Sequence, residues 1–443
     1  MARLNVAQTR PMTVNAAGTP VRSISEEKQL TRLVLANMLF EDQFYVDGKT
    51  SAQKIAELVA KVSVDFVSHL AIAARSNFKL RHVPLLLTRE LARRNALKAE
   101  TLNAVIQRPD EMGEFLAHYW KDGKTPLANQ VKKGLAMALS KFNEYQLAKW
   151  DKNSSAVRIR DVLFLTHAKP KDVAQAALFQ KLAEDKLETP DTWETELSAG
   201  ADKGETFTRL MAEKKLGALA FLRNLRNMVQ SGVDTGLIRS YARNVNVDRV
   251  LPFRYVAAAR IVPQFEDMLE EMMFRSLESH EKIPGKTVLL IDVSGSMFGP
   301  KVSAKSDLDR FDAAASLAML AREVCEEVEI FSFSNAAVRV APRRGFALRE
   351  AICNSQGHGG TSLGSSLLQV ANKADRIIVF TDEQSHDVVR APQTYGFNKG
   401  YILNVAAYQN GVNNEVWTTV SGFSEASLDY IMALEKSELE TSV

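Results

Sequence analysis

The sequence has few of the residues that stabilise small secreted proteins or span membranes. Its only cysteines among 443 residues are Cys325 and Cys353. These are too few for a disulfide framework, so we expect a reducing compartment, the cytoplasm. No CxxC motif, HExxH motif or Cys/His cluster indicates a structural zinc site. No run of 18 consecutive apolar residues is present, and the first twenty residues lack the apolar core of a secretory signal. We therefore expect neither a membrane span nor secretion.

What the sequence does contain is typical of a globular protein with two or more domains. A chain of 443 residues is too long for one hydrophobic core, and its 46% apolar and 25% charged residues are ordinary fractions. The charge is uneven, because residues 1–280 carry a net charge of +8 and residues 281–443 a net charge of −5. This asymmetry indicates two surfaces with different partners.

The first part of the chain is predicted to be helical throughout. After an N-terminal arm, residues 1–22, amphipathic helices separated by short turns extend over residues 23–280. One example, "KLGALAFLRNLRNM", places Leu216, Leu219, Leu222 and Leu225 on one helix face. Many such helices with short connections predict a HEAT-like stack, in which each pair buries its apolar face against the next. A compact globular helical domain is the alternative.

The second part, residues 281–443, alternates apolar strands with helices. Strands are predicted at 287–293, 329–334, 376–382 and 401–409, and helices at 307–328, 361–373 and 424–436. This order indicates a doubly wound α/β domain with a mostly parallel sheet. Ligands of such domains bind at the carboxyl ends of the strands. The stretch "DVSGSMFG", residues 292–299, follows the first strand and is therefore a candidate site.

Three chemistries are excluded for this stretch. A phosphate-binding P-loop needs GxxxxGK after a strand, but "GKT" at 285–287 precedes the strand and position 280 is His. An aspartyl-phosphate enzyme would have a second acid two residues after Asp292, where Ser294 stands. A serine hydrolase would have GxSxG, and "GSMFG" places Met297 at the nucleophile position.

A hard divalent cation, which we expect to be Mg²⁺, fits this stretch better. Asp292, Ser294 and Ser296 can direct three oxygens toward one point from a single loop, and Thr361 and Asp382 stand at two later strand ends. At most two negative charges would leave such an ion under-neutralised, with a position open to an acidic partner. His358, in "GHGGTS", is predicted to be an exposed loop residue, because hard cations prefer oxygen.

The pattern D-x-S-x-S, then Thr, then Asp, resembles the metal-ion-dependent adhesion site of von Willebrand factor A domains. All five positions match. The resemblance implies a binding domain rather than an enzyme, and a partner carboxylate that completes the metal shell.

The helical part resembles the TROVE domain of the Ro autoantigen family. The resemblance rests on "LRNLRNM" (222–228), "VLPFRYVAAAR" (250–260), "TWETELSAG" (192–200) and "IRDVLFLTHAKP" (159–170). It implies a helical-repeat ring followed by the A domain. It also implies binding of small noncoding Y-like RNA on the basic outer surface and of single-stranded ends of misfolded RNA in the central hole. An exoribonuclease as a protein partner, and a monomeric state, belong to the same expectation.

Two basic clusters could neutralise RNA phosphates. The first covers residues 75–98, and the second extends from 132 to 171. In the second we expect RNA contacts, chiefly because of the resemblance, from Lys132, Lys133, Lys141, Lys149, Lys152, Arg158, Arg160, His167 and Lys169.

For other basic and aromatic residues, packing roles are expected. We expect Arg223, Arg226 and Arg254 to make packing or ion-pair contacts. Trp120, Trp150 and Trp193 are expected to pack in helix cores rather than stack on bases.

The leading hypothesis is therefore a noncatalytic RNA-binding protein that serves RNA stabilisation or quality control. A protein-interaction scaffold that acts through the A-domain metal is the second hypothesis. A nuclease or phosphohydrolase is the third, and it is disfavoured because no general base stands beside Asp292 and no carboxylate cluster could hold two metals.

Overall fold

The computed structural model describes residues 13–14, 20–21, 25–36, 48–248, 250, 253–278, 280–301, 308–371, 374–406, 417–421, 427–428, 430–432 and 434–435. The chain divides into two compact units. A sheet unit comprises Met1–Ser51, Leu251–Ala257 and Met273–Val443, and a helical unit comprises Ala52–Val250 and Ala258–Met272. The predicted domain boundaries at residues 22 and 280 remain predictions. Among the described residues, no helix is both long and apolar enough to cross a membrane.

The helices are α1 (Glu26–Ala36), α2 (Gly48–Lys61), α3 (Val64–Ser76), α4 (His82–Arg93), α5 (Ala99–Val105), α6 (Asp110–Tyr119), α7 (Asn129–Leu139), α8 (Glu144–Trp150), α9 (Ile159–Thr166), α10 (Val173–Ala183), α11 (Trp193–Ser198), α12 (Lys203–Ala212), α13 (Ala218–Gln230), α14 (Thr235–Asn244), α15 (Phe253–Ile261), α16 (Glu266–Leu277), α17 (Arg310–Val324), α18 (Gly345–Cys353) and α19 (Leu363–Gln369). The strands are β1 (Thr13–Val14), β2 (Pro20–Val21), β3 (Ile283–Asp292), β4 (Cys325–Phe333), β5 (Ala337–Arg339), β6 (Ala374–Thr381), β7 (Phe397–Asn404) and β8 (Thr418–Ser421).

The helical unit is a stack of short helices, which confirms the predicted class of fold. Each odd-numbered helix from α3 to α9 contacts the next odd-numbered one, and α4 contacts α6. Helix α13 illustrates the packing: Phe221, Leu222, Leu225 and Met228 are buried at the spacing of one helix face. The predicted stripe was wrong at Leu219, which is 42% exposed. Leu219 lies three residues before Leu222 on α13, just beyond the edge of the buried helix face.

The sheet unit contains a six-stranded mixed sheet in the order β5-β4-β3-β6-β7-β8. Strand β5 is antiparallel to β4, and the other neighbouring pairs are parallel. The last six residues of β3 and of β6 are buried, because helices cover the parallel sheet on both faces. The prediction missed β5, α18 and β8. The predicted helix over 424–436 lies partly outside the described residues, and its described residues, 427–428, 430–432 and 434–435, are helical.

The order of the strands creates a switch point between β3 and β6. The chain leaves β3 toward β4 on one side and leaves β6 toward β7 on the other. A crevice opens at the carboxyl ends of two strands whose connections diverge in this way. The stretch after β3 and the residue after β6 therefore meet at one position.

Helix α1 belongs to the sheet unit rather than to the helical stack. It contacts the edge strand β8 and buries Leu30, Val34 and Leu35. The amide of Lys28 donates to Oγ of Ser25 at 3.4 Å, so Ser25 caps the helix. Covering an edge strand removes a surface on which another chain could pair.

Candidate metal centre and candidate RNA-binding surface

The loop after β3 is folded around the carboxylate of Asp292. Oδ1 of Asp292 accepts a hydrogen bond from the amide of Ser294 at 2.8 Å, and Oδ2 accepts one from Oγ1 of Thr381 at 2.6 Å. The hydroxyl oxygens of Ser294 and Ser296 lie 3.2 Å apart. Asp292 and Ser294 are buried, while Ser296 is exposed. Three of the predicted oxygen ligands thus share one tight turn.

The other two predicted ligands come from loops at the same end of the sheet. Ile291 of β3 stands opposite Phe380 of β6 in the parallel register. Asp292, the last residue of β3, and Asp382, the residue after β6, therefore lie at the same end of adjacent strands. The loop that carries Thr361 is bound to the first loop, because the amide of Gly295 donates to the carbonyl of Gly359 at 3.0 Å. Thr361 and Asp382 are both buried.

A glycine permits this close approach of the Thr361 loop. A Cβ atom at Gly359 would lie 2.4 Å from Nδ2 of Asn335. The amide of Gly360 donates to Oδ1 of the same Asn335 at 2.9 Å. The glycines of "GHGGTS" therefore allow the loop to pack against the turn after β4.

The electrostatics of this crevice favour a bound cation. Burial raises the pKa of Asp292, and the neighbouring carboxylate of Asp382 raises it further. Two buried carboxylates that repel each other are stabilised by a positive charge between them. The donors are carboxylate and hydroxyl oxygens, which suit Mg²⁺ rather than a softer metal. In the described part of the chain, no three His, Cys, Asp or Glu side chains are grouped as a metal site, so the site would depend on its hydroxyls.

Arg310 is the residue of this site that the sequence analysis missed. Its Nη1 lies 3.3 Å from Oδ2 of Asp382 and 3.4 Å from the carbonyl oxygen of Ser296. Arg310 opens α17 and is 6% exposed. An arginine among the acids of "DLDRFD", residues 307–312, is the signal in the sequence that could have indicated it.

Two histidines lie beside the candidate ligands. His358 is exposed, as predicted; its Nδ1 lies 2.9 Å from the carbonyl oxygen of Val293, and its ring is 4.1 Å from that of Phe298. His386, which the sequence analysis did not single out, is exposed and contacts the backbone of Thr361. Both histidines are therefore exposed and contact the loops that carry the candidate ligands.

The first basic cluster, residues 75–98, is largely neutralised within the helical unit. Arg75 forms a buried ion pair with Glu111 at 2.7 Å. Arg89 pairs with Glu90 and Asp122. These guanidinium groups hold α3 and α4 against α6 and the turn after it, so they are structural residues.

The second cluster separates into paired and unpaired cations. Lys141 donates to the carbonyl oxygens of Asn103 and Ile106, at the end of α5. Arg158 pairs with Asp151 and Asp185, and Arg160 also pairs with Asp185. Within the described ranges, no ion pair is formed by Lys132, Lys133, Lys149, Lys152 or Lys169. Their charges are available to a ligand.

His167 ends α9 in the left-handed backbone region. It is the C-cap residue, with φ 50° and ψ 43°, and its side chain is exposed. Glycine adopts this conformation at least cost, while other L-residues there cost about 1–2 kcal/mol. The exposed imidazole of His167 therefore stands at the end of α9, two residues before the exposed Lys169.

Some of the packing expectations were wrong. Arg223 and Arg226 are exposed on α13, and neither side chain forms an ion pair within the described part of the chain. Trp193 is half-buried and packs against Phe207 at 6.4 Å between ring centroids. Trp150 is half-buried, with the guanidinium of Arg108 lying 4.0 Å above its ring centroid.

Comparison with known protein families gives a match to the C-terminal portion of the helical unit and the first residues of the sheet unit. Residues 181–283 match the family model of the TROVE domain. A segment of 90 residues is 33% identical to telomerase protein component 1 of Mus musculus. That segment is 19% of this chain and 3% of the mouse protein, so the chain spans only a small part of that relative.

Comparison with solved structures covers nearly the whole chain. The fold is similar to the crystal structure of the Ro (Rsr) protein of Deinococcus radiodurans, with a TM-score of 0.63. The alignment covers 94% of this chain and 100% of the Deinococcus chain, at 19% sequence identity. This likeness concerns the fold, a helical stack together with a C-terminal mixed sheet.

Proposed function

We propose that this chain is a noncatalytic RNA-binding protein of the TROVE-domain family, because residues 181–283 match the TROVE family model and the fold is similar to that of a Ro protein. The observation that carries the proposal is the group of lysines on the helical unit that have no ion-pair partner there: Lys132, Lys133, Lys149, Lys152 and Lys169. Lysines neutralise phosphates without reading base identity, so they suit a structured RNA recognised by its shape and backbone.

The RNA class is a small noncoding, Y-like RNA together with the single-stranded ends of misfolded RNA. Binding of both would serve RNA stabilisation or quality control, in the cytoplasm and by a monomer. His167 lies two residues before Lys169 and adds a ring that can donate a hydrogen bond to a phosphate or stack on a base. Three other cations of the second cluster stabilise the fold of this surface, because their charges are already bound to carbonyl or carboxylate groups of the protein: Lys141, Arg158 and Arg160.

A titration with a hairpin RNA that carries a free single-stranded 3′ tail tests this function. Changing Lys149, Lys152 and His167 together to Ala is expected to weaken binding about tenfold or more, since charged hydrogen bonds to phosphate are lost. The matched control changes Arg339 and Arg343, two exposed cations of the sheet unit, to Ala and removes the same formal charge. Equal affinity of the triple variant and the wild type would contradict the outer-surface assignment.

A second function, metal-dependent protein binding, is favoured by the crevice between β3 and β6. We assign Mg²⁺ to Asp292, Ser294, Ser296, Thr361 and Asp382, with one coordination position left for an acidic group of a partner protein, for example an exoribonuclease. Mg²⁺ would supply a positive charge at the sheet end, and the five oxygens would orient it. Asp292→Asn is expected to abolish stabilisation of the protein by MgCl₂ in thermal melts. Undiminished stabilisation would contradict the assignment.

A further inference from the structure

A cavity between α8 and α11 lies next to the unpaired lysines. Its volume is about 370 Å³, and its walls include Lys149, Trp150, Lys152, Thr192, Glu194 and Ser198. Sites for small organic ligands have volumes of about 300–1,000 Å³. The cavity is therefore large enough for a single nucleotide, and its lining combines an aromatic ring with polar groups.

Trp150 is held as a fixed aromatic wall of this cavity. The guanidinium of Arg108 lies 4.0 Å from the ring centroid, and Arg108 is itself fixed by an ion pair with Asp110 at 2.8 Å. Arg108 does not line the cavity, so Trp150 meets the cavity with a part of the ring that Arg108 leaves uncovered. A ring held in this way can stack on a base at little cost in side-chain entropy.

The charges around the ring fit the backbone of one nucleotide. The ammonium groups of Lys149 and Lys152 each lie 5.9 Å from the Trp150 ring centroid. In the part of the chain that the structure describes, neither forms an ion pair with a carboxylate. Against these two positive charges the cavity has one acid, Glu194, so it remains attractive to phosphate.

Glu194 limits which base fits. It is exposed, and it shares one face of α11 with Ser198 at a spacing of four residues. A carboxylate accepts hydrogen bonds only, so it selects a base edge that carries donors. Guanine presents adjacent N1–H and N2–H donors on its Watson–Crick edge, whereas uracil presents a single N–H.

We propose that this cavity binds one unstacked nucleotide of single-stranded RNA, with guanine preferred, through stacking on Trp150, phosphate contacts from Lys149 and Lys152, and a base contact from Glu194. This inference rests on the proposed RNA-binding function and adds a base-selective position to it. A protein surface that contacts only the RNA backbone would not distinguish one base from another.

The test uses short oligouridylates that differ at one central position, which carries guanosine, inosine, uridine or an abasic ribose. Wild-type protein is expected to bind the guanosine RNA about 5- to 150-fold more tightly than the abasic RNA, the range of one base–aromatic stack. Inosine lacks the N2 amino group and is expected to fall between guanosine and the abasic site. Glu194→Gln should reduce the preference for guanosine over inosine.

Trp150→Ala is expected to bind all four RNAs with the affinity of the abasic one, while its thermal melt stays cooperative. The matched control is Trp120→Ala, because Trp120 is also half-buried, lies beneath a lysine and does not line the cavity. Salt-dependent binding of all four RNAs with equal affinity would overturn the base-selective cavity and leave RNA binding intact. Absence of binding to all four and to the tailed hairpin would overturn the proposed function itself.

Discussion

The guanidinium of Arg310 lies 3.3 Å from the carboxylate of Asp382, and both side chains are almost completely buried. Asp382 directly follows β6, at the point where the candidate metal ligands converge. A fixed positive charge is therefore already present beside two carboxylates that repel each other. Arg310 partly neutralises the crevice and would compete with a divalent cation for Asp382.

Replacing Arg310 with Met is expected to make the protein more dependent on a divalent cation. Without the arginine the buried carboxylates lose their partner, which costs about 3–5 kcal/mol of unfolding free energy when no cation is bound. Mg²⁺ at 100 times its Kd restores about 2.7 kcal/mol. Thermal melts of the variant with and without MgCl₂ should differ more than those of the wild type.

The control for this variant is Arg322→Met, because Arg322 lies on the same helix and pairs with Glu323 away from the crevice. Its response to MgCl₂ should match the wild type. An Arg310→Met protein whose melting temperature responds to MgCl₂ no more than the wild type would show that Arg310 and the cation do not share a site.

The lowered pKa of Glu435 predicts how the free energy of unfolding changes in acid. Burial raises its pKa, but hydrogen bonds from Arg376, Lys399 and Tyr401 outweigh burial and leave the pKa below its usual value. Because the native pKa is below the unfolded one, the stabilisation is complete above the unfolded pKa. It is lost as the pH falls through the native pKa.

Urea unfolding of Glu435→Gln at pH 7 and at about pH 3 measures this contribution. The variant should be about 3–5 kcal/mol less stable at pH 7, since the buried Arg376 loses its charged partner. The difference from the wild type should shrink in acid. Glu350→Gln, at an exposed position of α18, should follow the wild type at both values. A constant difference across pH would argue against the ion pair.

Lys141 and Lys149 are expected to have separable effects, although both belong to one basic stretch of the sequence. The ammonium of Lys141 is bound to the carbonyls of Asn103 and Ile106, whereas Lys149 has no ion-pair partner in the described ranges. Lys141→Met should lower the free energy of unfolding by about 1.5–3 kcal/mol and leave RNA affinity unchanged. Lys149→Met should weaken RNA binding and leave stability unchanged. Chemical denaturation and RNA titration of both variants distinguish these roles, and identical behaviour of the two would refute the distinction.

The sequence predicted those features that depend on residues close together in the chain. The apolar strand before Asp292 and the alternating oxygens after it indicate the strand end and its chemistry directly. Strands β5 and β8 were missed because three or four residues are too few for an alternation to be recognised. The role of Arg310 was also missed, because its contact with Asp382 spans 72 residues.

The same difference between neighbouring residues and distant partners explains why the sequence predicted the basic surface only in part. A run of lysines and arginines gives the local charge but not the partners, and Asp185 neutralises Arg158 from 27 residues away. The stacking of Arg108 on Trp150 likewise joins the turn before α6 to the end of α8, which no local spacing indicates. Leu219 was assigned to the buried stripe because helical spacing defines a face but not the width of the face that is covered.

The salt dependence of RNA binding tests the central claim most directly. The measurement is the association constant for the tailed hairpin RNA as a function of salt concentration, for the wild type and for a Lys149→Ala, Lys152→Ala double variant. The wild type should give a linear fall of log K against log[salt], with a slope of about −0.7 to −0.9 per phosphate contacted. The double variant should have a slope smaller in magnitude by about two. A wild-type affinity that does not change with salt, or identical slopes for both proteins, would contradict RNA binding through this surface.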